Sequence, residues 1–167
     1  MTDHWVYISV GSNLGDPLDN CRRGIDALGA HEAVHLLACS PFYRTAPQDF
    51  VDQAWFVNAA IKIATPLPPL ELLALVRRVQ TALGRKTQTV RFGPRILDLD
   101  IIFYQDLILQ TPELTIPHPR MHKRRFVLQP ICDIDATVVH PVLRLDVKTL
   151  LKQSVVEGQG LEPCSSS

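Results

Sequence analysis

The sequence has no apolar run long enough to cross a membrane and no excess of charge of either sign. Its 167 residues include 17 Lys and Arg and 17 Asp and Glu, so the formal net charge at pH 7 is zero. A globally neutral chain is a poor candidate for binding nucleic acid irrespective of sequence. A membrane-spanning helix needs about 20 apolar residues, which no segment supplies. The first residues also lack the basic and apolar regions of a signal peptide, so we expect a cytoplasmic protein with no membrane partner.

Cysteine is scarce and never forms a C-x-x-C pair. The four cysteines are Cys21, Cys39, Cys132 and Cys164. In a chain of this size they are expected to be reduced thiols, the first three as core fillers and Cys164 in a loose tail. Neither a repeat nor a linker divides the chain, and 46% of its residues are hydrophobic. We therefore predict one domain over residues 1–153, followed by a flexible C-terminal tail over residues 154–167.

The neutral total conceals a local segregation of charge. Ten of the 17 basic residues lie in two stretches, residues 77–95 and 114–132, neither of which contains an acidic residue. A solvated charged surface is the ordinary interpretation of such runs. Two carboxylates between the stretches favour a second interpretation, a site for an anionic substrate.

The order of predicted elements indicates an α+β fold. Alternation of apolar residues predicts strands near residues 6–10, 34–44, 55–65 and 96–104, with a short hairpin partner at 107–109. Helical spacing predicts helices that begin at Pro17 and Pro69 and end near Gly29 and Gly84, and a short helix over residues 121–128. Strands and helices do not alternate regularly, so we expect an antiparallel sheet with both longer helices on one face.

The segment Arg95-Ile-Leu-Asp-Leu-Asp-Ile-Ile-Phe103 carries the chemistry. Alternation along a strand places Leu97, Leu99, Ile101 and Phe103 on the core face and puts Asp98 and Asp100 together on the other. Two carboxylates about 7 Å apart suit a pair of Mg²⁺ ions completed by waters and substrate phosphates. The nearby arginines could bind the phosphate oxygens, so the pattern favours phosphoryl transfer. A bare D-x-D also fits a metal-dependent phosphatase or nuclease, or a polar strand surface.

The other sequence patterns indicate neither a glycine-rich nucleotide-binding loop nor a zinc site. The chain contains no P-loop sequence and no G-x-G-x-x-G, because the glycines of Gly11-Ser-Asn-Leu-Gly15 have a different spacing. The segment His31-Glu-Ala-Val-His35 fits the zinc-protease pattern H-E-x-x-H, which requires a helix. Here it follows the helix-ending Gly29 and continues into alternating apolar residues, so we interpret it as a loop that leads into a strand.

Six segments of the chain match one known family in order and spacing. They are Val10-Gly-Ser-Asn-Leu-Gly15, Ser40-Pro-Phe-Tyr-Arg-Thr45, Phe56-Val-Asn-Ala-Ala60, Leu83-Gly-Arg85, Phe92-Gly-Pro-Arg-Ile-Leu-Asp-Leu-Asp-Ile101 and Ile116-Pro-His-Pro-Arg-Met-His-Lys-Arg-Arg-Phe-Val-Leu128. Through them the chain resembles, from residue 5 to about residue 150, the 6-hydroxymethyl-7,8-dihydropterin pyrophosphokinases of folate biosynthesis. The resemblance implies a ferredoxin-like α+β fold. It also implies an ATP-dependent diphosphotransferase that moves the diphosphate of ATP to the pterin hydroxymethyl group and releases AMP.

The resemblance also implies residue roles. Asp98 and Asp100 would hold two Mg²⁺ ions and, with Arg85 and Arg95, form the catalytic set. ATP would contact Arg85, Arg91, Arg95, Ile101, His118 and Arg124. The pterin would contact Thr45, Ala46, Pro47, Phe56, Asn58, Asp98 and Phe126, with the two phenylalanines on either side of its ring, and Asn13 would pin the loops. For Phe56 and Phe126 plain core packing is the competing interpretation.

The sequence departs from the family pattern at four positions, Ala46, Gln80, Thr87 and Phe92. Since the carboxylate pair and the principal basic residues are present, we expect an active enzyme whose partners are small molecules and which acts as a monomer. The alternatives are a pterin- or nucleotide-binding protein without turnover, and the D-x-D phosphatase.

Overall fold

One antiparallel sheet of six strands organises the molecule. The computed structural model describes residues 3–45, 55–84, 96–154 and 160–164. The strands of this sheet are β1 (His4–Ser12), β2 (His35–Cys39), β3 (Tyr43–Thr45), β4 (Phe56–Thr65), β5 (Asp98–Tyr104) and β8 (Leu161–Pro163). They lie in the order β5-β1-β4-β3-β8, with β2 paired to β4 beside β3. A two-stranded ribbon of β6 (Leu109–Gln110) and β7 (Thr115–Ile116) stands apart.

Two helices cover one face of this sheet. Helix α1 (Pro17–Gly29) begins at Asp16, whose side chain accepts a hydrogen bond from the Asp19 N–H, and α2 (Pro69–Ala82) begins with a proline. The connection β1-α1-β2/β3-β4-α2-β5 with β1 and β4 central is the β-α-β-β-α-β arrangement of ferredoxin-like folds. The predicted α+β class, the antiparallel sheet and the shared face of the two helices are confirmed.

Among the residues that the structure describes, two shorter helices cover part of the opposite face. Helices α3 (Arg125–Ile134) and α4 (Val147–Gln153) pack there on Tyr7, Ile102 and Phe103. The first face instead buries a continuous apolar cluster from α1, α2, β1 and β4. The second face therefore has an apolar part beneath α3 and α4, and a remaining part on which polar side chains lie.

A β-bulge changes the expected face of one residue. The register between β1 and β5 shifts after Tyr7, which pairs with Phe103, while Ile8 pairs with Ile101. The extra residue in β5, Ile102, reverses the alternation beyond it. Leu97, Leu99 and Ile101 face α1 and α2 as predicted, but Phe103 joins the cluster under α3, so the prediction for Phe103 is wrong.

Three predicted elements differ in detail. The strand expected over 34–44 is divided into β2 and β3 at Pro41, which has no N–H for the ladder. The hairpin partner of β5 does not form; the chain turns at Gln105, which has a positive φ, and β6 pairs with β7 instead. The helix expected over 121–128 is a 3₁₀ turn, Met121–Lys123, followed by α3, because Arg124 has extended backbone between them.

The C-terminal region contains a strand where the sequence predicted a flexible tail. β8 pairs with β3, and the Cys164 N–H donates to the Phe42 carbonyl at 2.8 Å. The boundary at residue 153 itself stays a prediction. All four cysteines are free thiols as expected, but Cys39 is exposed and is not a core filler. No helix in the described ranges is long and apolar enough to cross a membrane.

Candidate active site

Three strands place polar side chains in one row on the partly covered face. Gly11 of β1 pairs with Asn58 of β4 on one side and with Asp98 of β5 on the other. Paired residues share a face, and adjacent strands lie about 4.8 Å apart. The amide of Asn58 and the carboxylate of Asp98 are therefore separated by a residue that has no side chain. Ser9 likewise lies between Ala60 and Asp100.

The Asn58 side of this row is buried and contains a hydrogen bond between two of its own side chains. Asn58 Nδ2 donates to Thr45 Oγ1 at 2.7 Å, and the two residues are 4% and 5% exposed. A Cβ on Gly11 would lie 2.8 Å from Asn58 Oδ1, closer than such atoms approach in proteins. Glycine at position 11 is what allows the amide oxygen to occupy the space between the strands.

The Asp98 side of the row lies on the edge strand β5 and is more open. Asp98 is partly exposed and Asp100 is exposed. The backbone N–H of Leu99, between them, donates to Oε1 of the buried Gln80 at 2.6 Å. Helix α2 thus holds the outer edge of the strand at the position that carries both carboxylates.

A cavity of about 320 Å³ adjoins Asp100. It lies between α2, β5 and the segment that follows β6. Its lining includes Leu73, Val76, Arg77, Gln80, Leu99, Asp100, Ile101, Thr111, Pro112, Glu113, Leu114, Thr115, His118 and Pro119. The Ile101 side chain is buried in the core. The Leu99 N–H points away from β1, toward Gln80. Because residues two apart on a strand have the same orientation, the backbone N–H and C=O of Ile101 also point away from β1, toward the cavity.

His118 reaches the cavity as a neutral ring. Burial and the nearby Arg124 and Arg120 lower the pKa of His118 from 6.5 to about 4. Its Nδ1 accepts a hydrogen bond from the Arg120 N–H at 3.1 Å. A neutral imidazole that accepts at Nδ1 carries its proton on Nε2, so His118 is a hydrogen-bond donor at that atom across the neutral pH range.

The N-terminus of α3 brings a cation and an aromatic ring to the same face. The Arg124 guanidinium lies 5.5 Å from the centre of the Phe126 ring. Phe126 packs beside the α3/α4 cluster and is only partly buried, as is Phe56. Phe56 is two residues before Asn58 and pairs with Thr45, so it lies on the face of the row. The Tyr43 hydroxyl donates to Asp133 and ties β3 to α3.

The structure places ten of the residues to which the sequence analysis gives a role, and the others lie outside its described ranges. Asn13, expected to pin the loops, is buried directly after β1. Asp98, Asp100, Thr45, Phe56, Asn58 and Phe126 lie on or beside the row; Ile101 and His118 line the cavity with Asp100; and Arg124 lies near His118. Ala46, Pro47, Arg85, Arg91 and Arg95 lie outside the described residues, as do Thr87 and Phe92.

Sequence reasoning missed several residues of the site. The segment 111–115 lines the cavity and no motif marks it, and Arg77 of α2 also lines it, although the sequence indicated Arg77 only as the first residue of a basic stretch. Gln80 was noted only as a departure from the family pattern, although a polar residue on the apolar stripe of a helix is itself a signal. Gly11 was considered only for its spacing from Gly15 and as part of a segment of the resemblance, although it is a glycine within the strand β1.

The donor set of Asp98 and Asp100 fits Mg²⁺. This ion takes oxygen ligands, and it is commonly bound by one or two carboxylates with waters and phosphates completing six positions. Within the described ranges no group of three or more His, Cys, Asp and Glu residues could enclose a metal ion. Two carboxylates on an accessible strand face beside a cavity leave room for the remaining ligands.

Comparisons with known proteins agree with this geometry. The model of the 7,8-dihydro-6-hydroxymethylpterin-pyrophosphokinase (HPPK) family matches residues 7–136. The 2-amino-4-hydroxy-6-hydroxymethyldihydropteridine pyrophosphokinase of Bacillus subtilis is 44% identical over 77% of this chain and 77% of its own length. The protein of the same name from Haemophilus influenzae is 40% identical over 89% of this chain and 91% of its own.

Longer relatives contain the same unit. The folic acid synthesis protein fol1 of Schizosaccharomyces pombe is 34% identical over 96% of this chain, which spans 22% of it. A crystal structure of Plasmodium falciparum HPPK-DHPS with pteroate superimposes with a TM-score of 0.75 at 14% identity, over 92% of this chain and 42% of that one. The last comparison shows the fold, and the family match and the bacterial relatives show that this chain belongs to the 7,8-dihydro-6-hydroxymethylpterin-pyrophosphokinase family.

Proposed function

We propose that this chain transfers the diphosphate group of ATP to the hydroxymethyl group of 6-hydroxymethyl-7,8-dihydropterin, releases AMP, and serves folate biosynthesis. One observation carries the proposal beyond family membership. The row Asn58–Gly11–Asp98 joins a buried neutral amide to a pair of accessible carboxylates on one sheet face. The first suits a flat polar ring and the second a metal-bound polyphosphate.

The Asn58 side supports pterin binding. A pterin is a flat bicycle whose edge carries several donors and acceptors. Asn58 and Thr45 offer an amide and a hydroxyl that are already fixed by their mutual hydrogen bond. The partly buried rings of Phe56 and Phe126 would cover the two faces of the bicycle. Ala46 and Pro47 are proposed to contribute backbone groups, and Asp98 would border the hydroxymethyl end.

The Asp100 side supports nucleotide binding. The cavity is of a size that suits a small-molecule ligand, and outward-pointing backbone groups of Ile101 lie along one wall. His118 would donate from Nε2 to an oxygen of the nucleotide, and Arg124 and Arg77 supply positive charge nearby. Arg85, Arg91 and Arg95 are proposed to bind the phosphates, with Arg85 and Arg95 acting on the transferred group.

Asp98 and Asp100 are the residues that would hold magnesium, and we propose two ions. When bound, the ions would neutralise the phosphate oxygens and orient the β-phosphorus for attack. The protein's own contribution is to position these groups. Gln80 fixes the backbone between the two carboxylates, and Gly11 sets the distance from the carboxylates to the Asn58 amide, which would bind the pterin.

The reaction follows from this placement. The hydroxymethyl oxygen forms a bond to the β-phosphorus of ATP, and the bond from that phosphorus to the oxygen bridging it to the α-phosphate breaks. AMP leaves with the bridging oxygen, and the hydroxyl proton is lost. Such chemistry depends mainly on alignment and on neutralisation of charge, which the row and the cavity supply. We also propose that the enzyme acts as a monomer in the cytoplasm.

A product assay tests this function against its alternatives. The purified chain is incubated with ATP and Mg²⁺, with and without the hydroxymethyl dihydropterin, and AMP, ADP and inorganic phosphate are quantified. We expect AMP to form only when the pterin is present. Release of inorganic phosphate without pterin would indicate a phosphatase, and binding without any product would indicate a binding protein.

A further inference from the structure

The short strand β3 carries a pterin-site residue and has little support of its own. It has three residues, Tyr43–Thr45, and the buried Thr45 hydroxyl accepts the hydrogen bond from Asn58. On one side β3 pairs with β4, where Thr45 lies opposite Phe56. On the other side it pairs with β8, where Thr45 lies opposite Leu161. Among the described strands, β8 is the one that pairs with β3 on this side.

The pairing of β3 with β8 follows a regular ladder. The Cys164 N–H donates to the Phe42 carbonyl at 2.8 Å. Hydrogen-bonded pairs alternate along an antiparallel ladder, so Arg44 and Glu162 form the next such pair. Pro163, which has no N–H, falls at the position between them where no ladder donor is needed. The sequence of the C-terminal segment is thus compatible with strand pairing at each residue.

Arg44 contacts both β8 and Trp55, so β8 is connected to the chain before and after residues 46–54. Arg44 is in β3 before that segment and Trp55 follows it. The Arg44 guanidinium lies 5.2 Å from the centre of the Trp55 ring and 3.7 Å from Glu162 Oε2. A Cβ built on Gly160, the residue before β8, would lie 3.7 Å from Cη2 of the same Trp55 ring. We name Arg44, Trp55 and the strand β8 the C-terminal clasp.

We propose that the C-terminal clasp is a positioning element of the pterin site, which rests on the function proposed above. β8 lies beyond the residues that match the family model, so the family resemblance does not assign it a role. Its action is indirect: it holds β3, and β3 holds the Thr45 hydroxyl against Asn58. The cavity beside β5 lies at the opposite edge of the sheet, so nucleotide binding should not depend on the clasp.

The ladder and the exposed ion pair contribute differently. Both side chains of the Arg44–Glu162 pair are more than half exposed, and such pairs contribute little. We expect the backbone pairing of β8 with β3 and the contact of Arg44 with the Trp55 ring to hold β3 in place. This difference gives a matched pair of variants at one position. Glu162→Pro removes a ladder N–H and the ion pair, whereas Glu162→Ala removes the ion pair alone.

The test compares the two variants with the wild type in the full-length chain. Dissociation constants for the hydroxymethyl dihydropterin and for Mg²⁺-ATP are measured by calorimetry, and kcat and KM for each substrate in the AMP assay. We expect Glu162→Pro to weaken pterin binding about five- to tenfold, the effect of losing one or two cross-strand contacts. ATP binding should change by less than about twofold, and Glu162→Ala should change both by less than about twofold.

A second variant keeps the test decisive if Glu162→Pro does not fold. Trp55→Leu removes the ring over which the Arg44 guanidinium lies, and the same selective loss of pterin affinity is expected. Pterin affinity equal to that of the wild type in the folded variants, or an equal loss for both substrates, would overturn the proposal. A wild-type chain that neither binds pterin nor releases AMP would instead refute the proposed function, and the wild-type arm identifies that case.

Discussion

The two sides of the polar row differ in how they satisfy their polar groups. On the Asn58 side the groups are neutral, nearly fully buried and hydrogen-bonded to each other. On the Asp100 side they are charged and lie on an accessible edge strand beside a cavity. Burial of a neutral amide costs little free energy once the amide is hydrogen-bonded. Burial of an unpaired carboxylate costs about 5 kcal/mol or more. The chain can therefore preform the pterin side, but must keep the metal side open.

This contrast predicts that the largest effects on rate arise on the charged side. Asp100→Ala removes an exposed metal ligand, so turnover should fall by about 10³-fold or more with little change in melting temperature. Steady-state AMP release at saturating Mg²⁺ gives the rate. Asp106→Ala, an exposed carboxylate in the turn after β5, is the control and should keep the wild-type rate. Near-normal turnover in Asp100→Ala would remove the carboxylate pair from the mechanism.

The neutral side should instead be sensitive to small displacements. Gly11→Ala places a Cβ 2.8 Å from Asn58 Oδ1 and must shift an amide that Thr45 holds in place. Because misplacement of about 1 Å in a site can cost about 10²-fold, kcat/KM for the pterin should fall on that order. The loss should appear in pterin binding measured by calorimetry, with ATP binding nearly unchanged.

Gly29→Ala is the matched control for this glycine. Gly29 is the last residue of α1, and apart from its chain neighbours and the helix's own backbone, no atom of the described residues lies within 4 Å of a Cβ built there. The substitution should leave both affinities unchanged and slightly favour the helix. If Gly11→Ala bound pterin as tightly as Gly29→Ala did, the close approach between β1 and Asn58 would have no part in binding.

The edge of β5 should depend on Gln80 for stability. Gln80→Leu keeps the size of the side chain but leaves the Leu99 N–H without its acceptor. An unsatisfied buried donor costs about 1–3 kcal/mol, so the free energy of unfolding in urea should decrease by that amount. Gln80→Glu retains an acceptor and should recover most of the stability. Equal unfolding free energies for Gln80→Leu and the wild type would show that α2 does not hold this strand.

The last effect expected is a pH dependence of the free energy of unfolding that arises from His118. Its pKa is about 6.5 in the unfolded chain and about 4 in the folded one, so the unfolded chain takes up the proton first. Stability is therefore lost as pH falls from about 6.5 toward 4. Burial lowers the pKa of His140 too, with a contribution from His122, and adds to the same trend.

His118→Gln isolates the His118 contribution. Unfolding free energies measured at pH 7, 6 and 5 should decrease less in the variant than in the wild type, and the remaining slope belongs partly to His140. A steeper slope in the variant would mean that His118 is protonated in the folded chain.

Local patterns predicted most of the fold. The start of α1 at Pro17, the proline that opens α2, the strand β1 and the alternation of β5 as far as Ile101 each depend on neighbouring residues, and the predictions from them are confirmed. The bulge at Ile102 was missed because it depends on how β1 and β5 align. β8 was missed because a short polar segment becomes a strand only where an edge such as β3 accepts it.

The sequence predicted the site residues that belong to a recognisable motif. It did not predict those whose role depends on contacts between distant elements. The spacing of Asp98 and Asp100 placed them on one face, as the register has them. The roles of Gly11 and Gln80 depend on contacts between elements far apart in sequence, with Asn58 and Leu99 respectively. The local sequence marks Gln80 and Gly11 as unusual residues in their elements, but it does not show which distant residue each one contacts.

The most direct test of the account follows the phosphates of ATP. The chain is incubated with Mg²⁺, the hydroxymethyl dihydropterin and ATP labelled on its terminal phosphate, and the products are separated and identified by mass. The account predicts a pterin that carries two phosphates, including the labelled one, together with unlabelled AMP in equal amount. A pterin with a single phosphate accompanied by ADP, or label found only in inorganic phosphate, would contradict it.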